Sequence, residues 1–390
     1  MHGALRYRPV PELVALNLPG GAGFVDALRA IWDTGDAAAP LDPRLPPAAR
    51  DAVLAAIRPS RVVGSDGDIH AVAGGQPVED GDAIVLATSG TAGEPKGVVL
   101  THDALLASAR ATSQRLGIDP ARHSWLACLP LAHVGGLSVV TRALLTKTPL
   151  TVLPGFDSDL VCEIGRSGRA THVALVATAL RRIDSDLFTG ILLGGARPPE
   201  MLAPNVVVTY GLTETGSGVV YDGVPLDGIE VALSHFDDGS VEGEILLRGP
   251  MLMRCYRDGN AGRVIGPDGT ATWFATGDAG SLADDGTLRV SGRLAEVIVT
   301  GGEKVWPDAV EKVLASDPGV SEVAVWKRAD PDWGERVVAW IVPGASPPHT
   351  DALKELVVHT IAPWAAPKEF VFVDELPRTA SGKIRRTELT

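Results

Sequence analysis

Three short stretches combine residue types that could work on a phosphorylated, anionic ligand. Residues 88–97 read Thr-Ser-Gly-Thr-Ala-Gly-Glu-Pro-Lys-Gly. Glycine admits turns barred to other residues and lets a ligand approach the backbone. Successive free N–H groups in such a turn form an anion-binding nest. Thr88, Ser89 and Thr91 add hydroxyls around Gly90, and Lys96 adds a mobile positive charge, which together suit a polyphosphate. The Walker A pattern is excluded, because Lys96 is followed by Gly97 and not by Ser or Thr. The second stretch is Tyr210-Gly211-Leu212-Thr213-Glu214-Thr215. Glu214 is a hard oxygen donor of the kind Mg²⁺ takes beside substrate phosphates. Thr213 can bond a phosphoryl oxygen and Tyr210 can stack on a base. The third stretch runs from Pro377 to Ile384 and carries Lys383 after Gly382; alone it reads as an exposed basic tail.

These residues need elements to position them. Apolar runs Ala83–Ala87 and Val98–Leu100 flank the first stretch, giving strand, polar loop, strand. Thr101–Leu116 reads as a helix with Thr101 as N-cap, Asp103 in the first turn and Gly117 beyond the end. Strands at Trp125–Leu129, Pro149–Leu153, Thr171–Val176, Gly190–Leu193 and Asn205–Thr209 alternate with helices near Ser158–Arg166 and through Arg182. That alternation predicts layered α/β sheets. From about Gly228 to Gly292, short strands with Gly and Asp turns predict a β-rich subdomain. A small α+β unit follows, with helices Pro307–Ala315 and Asp351–Ile361 and strands Val320–Trp326 and Val337–Val342. The expected domains are 1–292 and a mobile 293–390. Within the first, residues 1–80 form a reduced opening subdomain with short helices at Phe24–Trp32 and Ala48–Ile57 and a polar connector from Gly64 to Gly81.

Composition narrows the class. The 390 residues are 45% apolar and 21% charged, as in an ordinary globular protein with ample core. A net charge of −13 argues against nucleic acid as main partner. The three cysteines, Cys128, Cys162 and Cys255, have no metal-site spacing and read as thiols of a reducing compartment. No apolar stretch approaches the ~20 residues needed to span a bilayer, so the expected location is cytoplasmic.

The stretch 88–97 closely resembles the phosphate-binding signature of the adenylate-forming (AMP-binding) superfamily, which includes acyl-CoA synthetases, luciferases and peptide-synthetase adenylation domains. Ala92 stands where a second threonine is common. The resemblance runs from Asp82 to the C-terminus through five motifs in order, and it implies roles. Gly194, Gly195 and Ala196 would let adenine lie flat on the backbone, with Tyr210 and Gly211 beside it. Asp278, in Thr276-Gly277-Asp278, would accept the ribose hydroxyls, the solution other nucleotide folds use. Arg293 would meet ribose or phosphate. His133, in Leu129-Pro-Leu-Ala-His-Val-Gly-Gly, would shape the acyl pocket; a carboxylate nucleophile is already ionised at neutral pH and needs no base. Lys383 would bridge the substrate carboxylate and the α-phosphate. Gly301, Gly302 and Glu303 would enter the site for the thioester step. The hinge aligns with Ala295, where the family usually has Asp or Lys. The implied substrates and cofactors are ATP, Mg²⁺ on Glu214, and coenzyme A.

The acid follows from a narrower resemblance. Thr171–Arg182 and Val220–Leu226 are similar to segments of o-succinylbenzoate–CoA ligases of menaquinone biosynthesis, in their short actinobacterial form. That substrate is a diacid, and Arg182 would hold its non-reacting carboxylate. Other readings stay open: a CoA ligase for another aryl or short-chain acid, an amino-acid adenylation module, and a non-catalytic acyl-nucleotide-binding protein. Expected partners are the small acid, ATP and CoA, with no nucleic acid and no membrane insertion; a homodimer is compatible with the sequence.

Overall fold

The computed structural model describes residues 10–390 apart from 66, 90–94, 196–197, 200, 237–240, 268, 270–271, 379–383 and 390, with the backbone alone at Ser89. The chain divides into two compact units. One comprises 1–232, 246–275 and 286–288; the other comprises 233–245, 276–285 and 289–390. Segments 233–245 and 276–285 thus group with the C-terminal part.

The first unit holds two seven-stranded sheets among its described residues. One runs Cys255–Tyr256, Pro95–Thr101, Asp82–Ser89, Ala37–Pro40, Leu13–Leu16, Arg61–Val63 and Ile69–Ala71. Leu13–Leu16 and Ala37–Pro40 pair in parallel and are buried at every position. Such strands are covered on both faces and carry a continuous apolar run, not an alternating one. Neither was expected from the sequence, and Ile69–Ala71 lies inside what read as a connector. The expected helices form as Ala22–Thr34 and Pro47–Ile57.

The other sheet runs Val224–Pro225, Ser217–Tyr221, Val206–Leu212, Gly190–Leu193, His172–Leu175, Trp125–Ala127 and Leu150–Val152. Its central pairs are parallel and the Val206–Leu212/Ser217–Tyr221 pair is antiparallel. Helix Ser158–Arg166 packs Val161 and Ile164 into the core with Val173 and Ile191. Its N-cap Asp157 accepts from the N–H groups of Asp159 and Leu160 at 3.0 Å each. Helix His102–Arg115 is capped as expected, with Thr101 Oγ1 accepting from Ala104 N–H at 3.1 Å.

In the second unit a five-stranded sheet orders Glu303–Val305, Ile298–Thr300, Gly334–Pro343 and Val320–Asp330, with Glu369–Phe372 parallel to Gly334–Pro343. Helices Pro307–Leu314 and Thr350–Thr360 supply Val310, Leu314, Leu353 and Val357 to one core with Ile298, Val325 and Ile341. Pro307 sits at the first helical position, where its missing N–H costs nothing. Among the described residues no helix is long and apolar enough to cross a membrane.

Candidate active site

The hairpin at the phosphate-loop candidate forms as read. Asp82–Ser89 and Pro95–Thr101 pair antiparallel, with Thr88 opposite Lys96. Directly opposed residues share a face, so the pairing brings a hydroxyl and an ammonium to one side of the hairpin's end. Gly90 and Thr91 lie outside the described residues, as do Ala196 and Lys383. Gly97 is required by packing: a Cβ there would sit 2.6 Å from Arg257 Cγ.

Glu214 lies on a tight turn, Thr213–Thr215, between two antiparallel strands. The turn is tied from below by Thr215, which is fully buried. Its Oγ1 accepts from Leu212 N–H at 2.9 Å and donates to Ser217 C=O at 2.6 Å. Gly211 has no room for a side chain, since a Cβ would meet Ser217 O at 2.3 Å. The strand shifts register between Tyr210 and Gly211, next to this close approach. The Glu214 carboxylate is half-buried, and its Oε1 accepts from the Tyr256 phenol at 2.8 Å. Lys96 Nζ stands 5.4 Å from the Tyr256 ring centroid. Tyr256 therefore joins the two motifs, and no motif of the sequence had pointed to it. Its bond to Glu214 spans 42 residues of chain, so no local spacing could reveal it.

A divalent cation fits Glu214. Oε2 accepts from no donor among the described residues, leaving one carboxylate oxygen available. No cluster of three or more His, Cys, Asp or Glu side chains forms a metal cage among those residues. A single carboxylate is the donor set Mg²⁺ uses when phosphates and water complete its shell.

The other expected residues of the first unit are placed as follows. Gly194 adjoins Thr209, whose Oγ1 would lie 2.9 Å from an added Cβ, and Gly195 has φ +85°. Both need to be small for local reasons of packing and backbone. His133 is exposed at the N-cap of helix Val134–Thr146. The buried Asp42 carboxylate lies near it, held below the usual range chiefly by Arg44, which donates at 2.9 and 2.7 Å; His133 adds a smaller pull. The second glycine after His133 is a packing residue: a Cβ on Gly136 would meet the carbonyl oxygens of Leu129 and Pro130 at 2.5 Å. Arg182 is exposed, with its guanidinium over the Phe156 ring at 5.2 Å.

Within the second unit, Asp278 and Arg293 come together. Asp278 is buried, and its Oδ1 pairs with Arg293 Nε at 2.8 Å. Thr276 Oγ1 accepts from Asp278 N–H at 3.0 Å and fixes the backbone there. Ala295 is the middle residue of the turn Leu294–Glu296. Gly301 and Gly302 form the two-residue turn of the hairpin Ile298–Thr300/Glu303–Val305, with φ +60° and +89°. Such a turn requires positive φ at both positions, which explains the glycine pair. Glu303 is exposed just beyond it.

Comparison with known proteins gives a consistent set. Residues 75–257 match the model of the AMP-binding enzyme family, and residues 309–383 match that of the AMP-binding enzyme C-terminal domain. A probable 2-succinylbenzoate–CoA ligase of Mycobacterium tuberculosis is 38% identical over 341 residues, covering 81% of this chain and 85% of that protein. The o-succinylbenzoate CoA synthetase (MenE) of Bacillus subtilis, in complex with the acyl-adenylate intermediate OSB-AMP, superposes with a TM-score of 0.82. It is 27% identical over 97% of this chain and 88% of its own. The same enzyme has been solved with ATP and a magnesium ion, again at a TM-score of 0.82 and 27% identity, covering 97% of this chain and 89% of that one.

Proposed function

The chain belongs to the AMP-binding enzyme family, and from that premise we propose that it ligates o-succinylbenzoate to coenzyme A through an acyl-adenylate. The observation that carries the choice of acid is the likeness to 2-succinylbenzoate–CoA ligases along four-fifths of the chain. In the first step the substrate carboxylate attacks the α-phosphorus of ATP and pyrophosphate leaves. In the second, the thiol of CoA attacks the activated carbonyl and AMP leaves.

The first step brings two anions together, so the site must offset their repulsion. Lys96, opposite Thr88 in the hairpin, is proposed to be the cation that meets the polyphosphate. Glu214 would hold Mg²⁺, which neutralises charge on the phosphates and orients them. Lys383, outside the described residues, is proposed to bridge the reacting carboxylate and the α-phosphate. Asp278 and Arg293 are proposed to receive the ribose. Rotation about 293–296, with Ala295 as pivot, would exchange the Lys383 segment for Gly301–Glu303 in the thioester step. Arg182 is the proposed partner of the second carboxylate of the diacid, and His133 is proposed to wall the acyl pocket. A cytoplasmic location suits ATP and CoA as substrates, and a homodimer is the proposed assembly.

The test is AMP formation from ATP, Mg²⁺ and CoA with o-succinylbenzoate, against benzoate and a panel of fatty and amino acids. Strong preference for o-succinylbenzoate is the expected result. Preference for another acid would keep the chemistry and discard the substrate. No AMP with any acid would reject the ligase reading in favour of a nucleotide-binding protein.

A further inference from the structure

Lys96 and Glu214 carry opposite charges, and both belong to the same candidate site. In such a place a lysine and a carboxylate ordinarily pair, and each then neutralises the other. Here they do not: the Glu214 carboxylate takes its side-chain hydrogen bond from Tyr256, and the Lys96 ammonium lies over the face of the same ring. The phenol is a neutral donor that leaves the carboxylate its full charge. The ring face is a neutral acceptor that leaves the ammonium its own.

Tyr256 is itself held firmly. It lies on the strand Cys255–Tyr256, opposite Val98 of the phosphate hairpin. On one side Arg254 grips Asp82 at 2.9 and 2.8 Å. On the other, Arg257 donates to the carbonyls of Ile57, Pro77 and Gln76 at 3.0, 3.0 and 2.7 Å. Three residues before Tyr256, the same segment clasps the turn from its backbone, where Met253 N–H donates to Glu214 C=O at 2.7 Å.

We propose that Tyr256 is a positioning residue that keeps Lys96 and Glu214 from neutralising each other, so that one charge is presented to phosphate and the other to a divalent cation. By engaging Oε1 it also turns Oε2 outward as the metal-facing oxygen. The proposal rests on the adenylation reading of this site but not on the identity of the acid.

The experiment uses the full chain and Mn²⁺ as the probe. ATP binding is titrated by calorimetry at increasing Mn²⁺, with no acid and no CoA, for wild type, Tyr256→Phe, Glu214→Gln and the double variant. Tyr256→Phe keeps the ring and removes only the hydroxyl. It should need roughly tenfold more free Mn²⁺ for the same ATP affinity, as expected for losing one hydrogen bond to a charged group. In the Glu214→Gln background the hydroxyl should no longer matter. Tyr256→Leu, which also removes the ring, should weaken ATP binding even at saturating Mn²⁺, because Lys96 can then close on Glu214. An unchanged Mn²⁺ requirement in Tyr256→Phe would overturn the proposal. So would a Tyr256→Phe effect that persists undiminished beside Glu214→Gln. Wild-type ATP binding that ignores Mn²⁺ would overturn both this proposal and the metal role of Glu214, whereas a different preferred acid would touch only the substrate assignment.

Discussion

Arg142 in the first unit is 2% exposed, whereas Arg386 in the second is 16% exposed in its side chain, and their surroundings differ more than their burial does. Arg142 lies on helix Val134–Thr146 with its guanidinium over the Trp125 ring at 4.9 Å. Its Nη2 donates to Ser217 Oγ at 2.9 Å, while Nε and Nη1 meet no acceptor among the described residues. Arg386 bonds three carboxylates: Glu296 at 2.9 Å, Asp308 at 2.8 Å and Glu311 at 2.9 Å. Burial lowers the pKa of Arg142. Burial works the same way on Arg386, but Glu311, Glu296 and Asp308 together outweigh it and raise the pKa. The first unit thus tolerates a buried cation on aromatic and hydroxyl contacts, while the second gathers more acid around its cation than the cation can neutralise. A buried ion pair adds little over a well-packed apolar alternative, but removing one member is expensive. The two arginines should therefore respond very differently to the same substitution.

The largest effect is expected from Arg386→Met, which strips the shared cation from three carboxylates. Asp308 and Glu296 are 40% and 36% exposed, so water screens part of the loss. A cost of about 3 kcal/mol is expected, at the low end for breaking a buried pair. Urea unfolding of the full chain, followed by tryptophan fluorescence, measures it. Wild-type stability in this variant would show that the network carries no weight.

The second effect concerns pH. Burial lifts the Glu311 carboxyl to about 7, and Asp308 adds to the lift against the pull of Arg386. Its folded-state pKa lies above the unfolded value of 4.5, so the folded state binds the proton more tightly. This contribution to stability is complete below about pH 4.5 and is lost as pH rises through about 7. His172 in the first unit works in the opposite direction. Burial first, then His123 and Arg142, hold it down at about 4. It must be neutral in the fold, so its contribution is lost as pH falls below 6.5 toward 4. Taking the difference between Glu311→Gln and wild type removes the His172 part. That difference in melting temperature should move in favour of the variant between pH 5 and pH 8. A difference that stays constant across this range would remove Glu311 from the account.

The same contrast explains what could be read from the sequence. The hairpin at residues 82–101, the Thr101 cap and helix Ser158–Arg166 were legible, because each is specified by neighbours in the chain. Strand Ala37–Pro40 was not. Alanine favours helix, and only its place between Leu13–Leu16 and Asp82–Ser89 makes an extended segment the better burial. Tyr256 and the Arg386 cluster were invisible for a related reason. Tyr256 meets Glu214 from 42 residues away, and Arg386 meets Glu311 from 75 and Glu296 from 90. Their types are ordinary, and only the tertiary fold gives them partners. Packing also demands glycine at Gly136 and Gly211, where backbone carbonyls crowd the position, and that crowding comes from the tertiary fold.

The smallest effect, and the sharpest test of the comparison, is Arg142→Met. Methionine has similar length and fills irregular space well. The substitution removes a charge that has no carboxylate beside it among the described residues, so it uncovers no buried anion there. It forfeits the stacking on Trp125, worth up to about 2 kcal/mol when desolvated, and one bond to Ser217, whose hydroxyl stays able to donate. Against this, it relieves the cost of burying a guanidinium with two unanswered nitrogen groups, a cost of several kcal/mol. The two contributions should nearly cancel, giving a change within about 1 kcal/mol of either sign. Urea unfolding with an unchanged m-value is the measurement. A loss as large as that of Arg386→Met would mean that Arg142 is held by an interaction equivalent to a carboxylate, and the distinction drawn between the two units would fail.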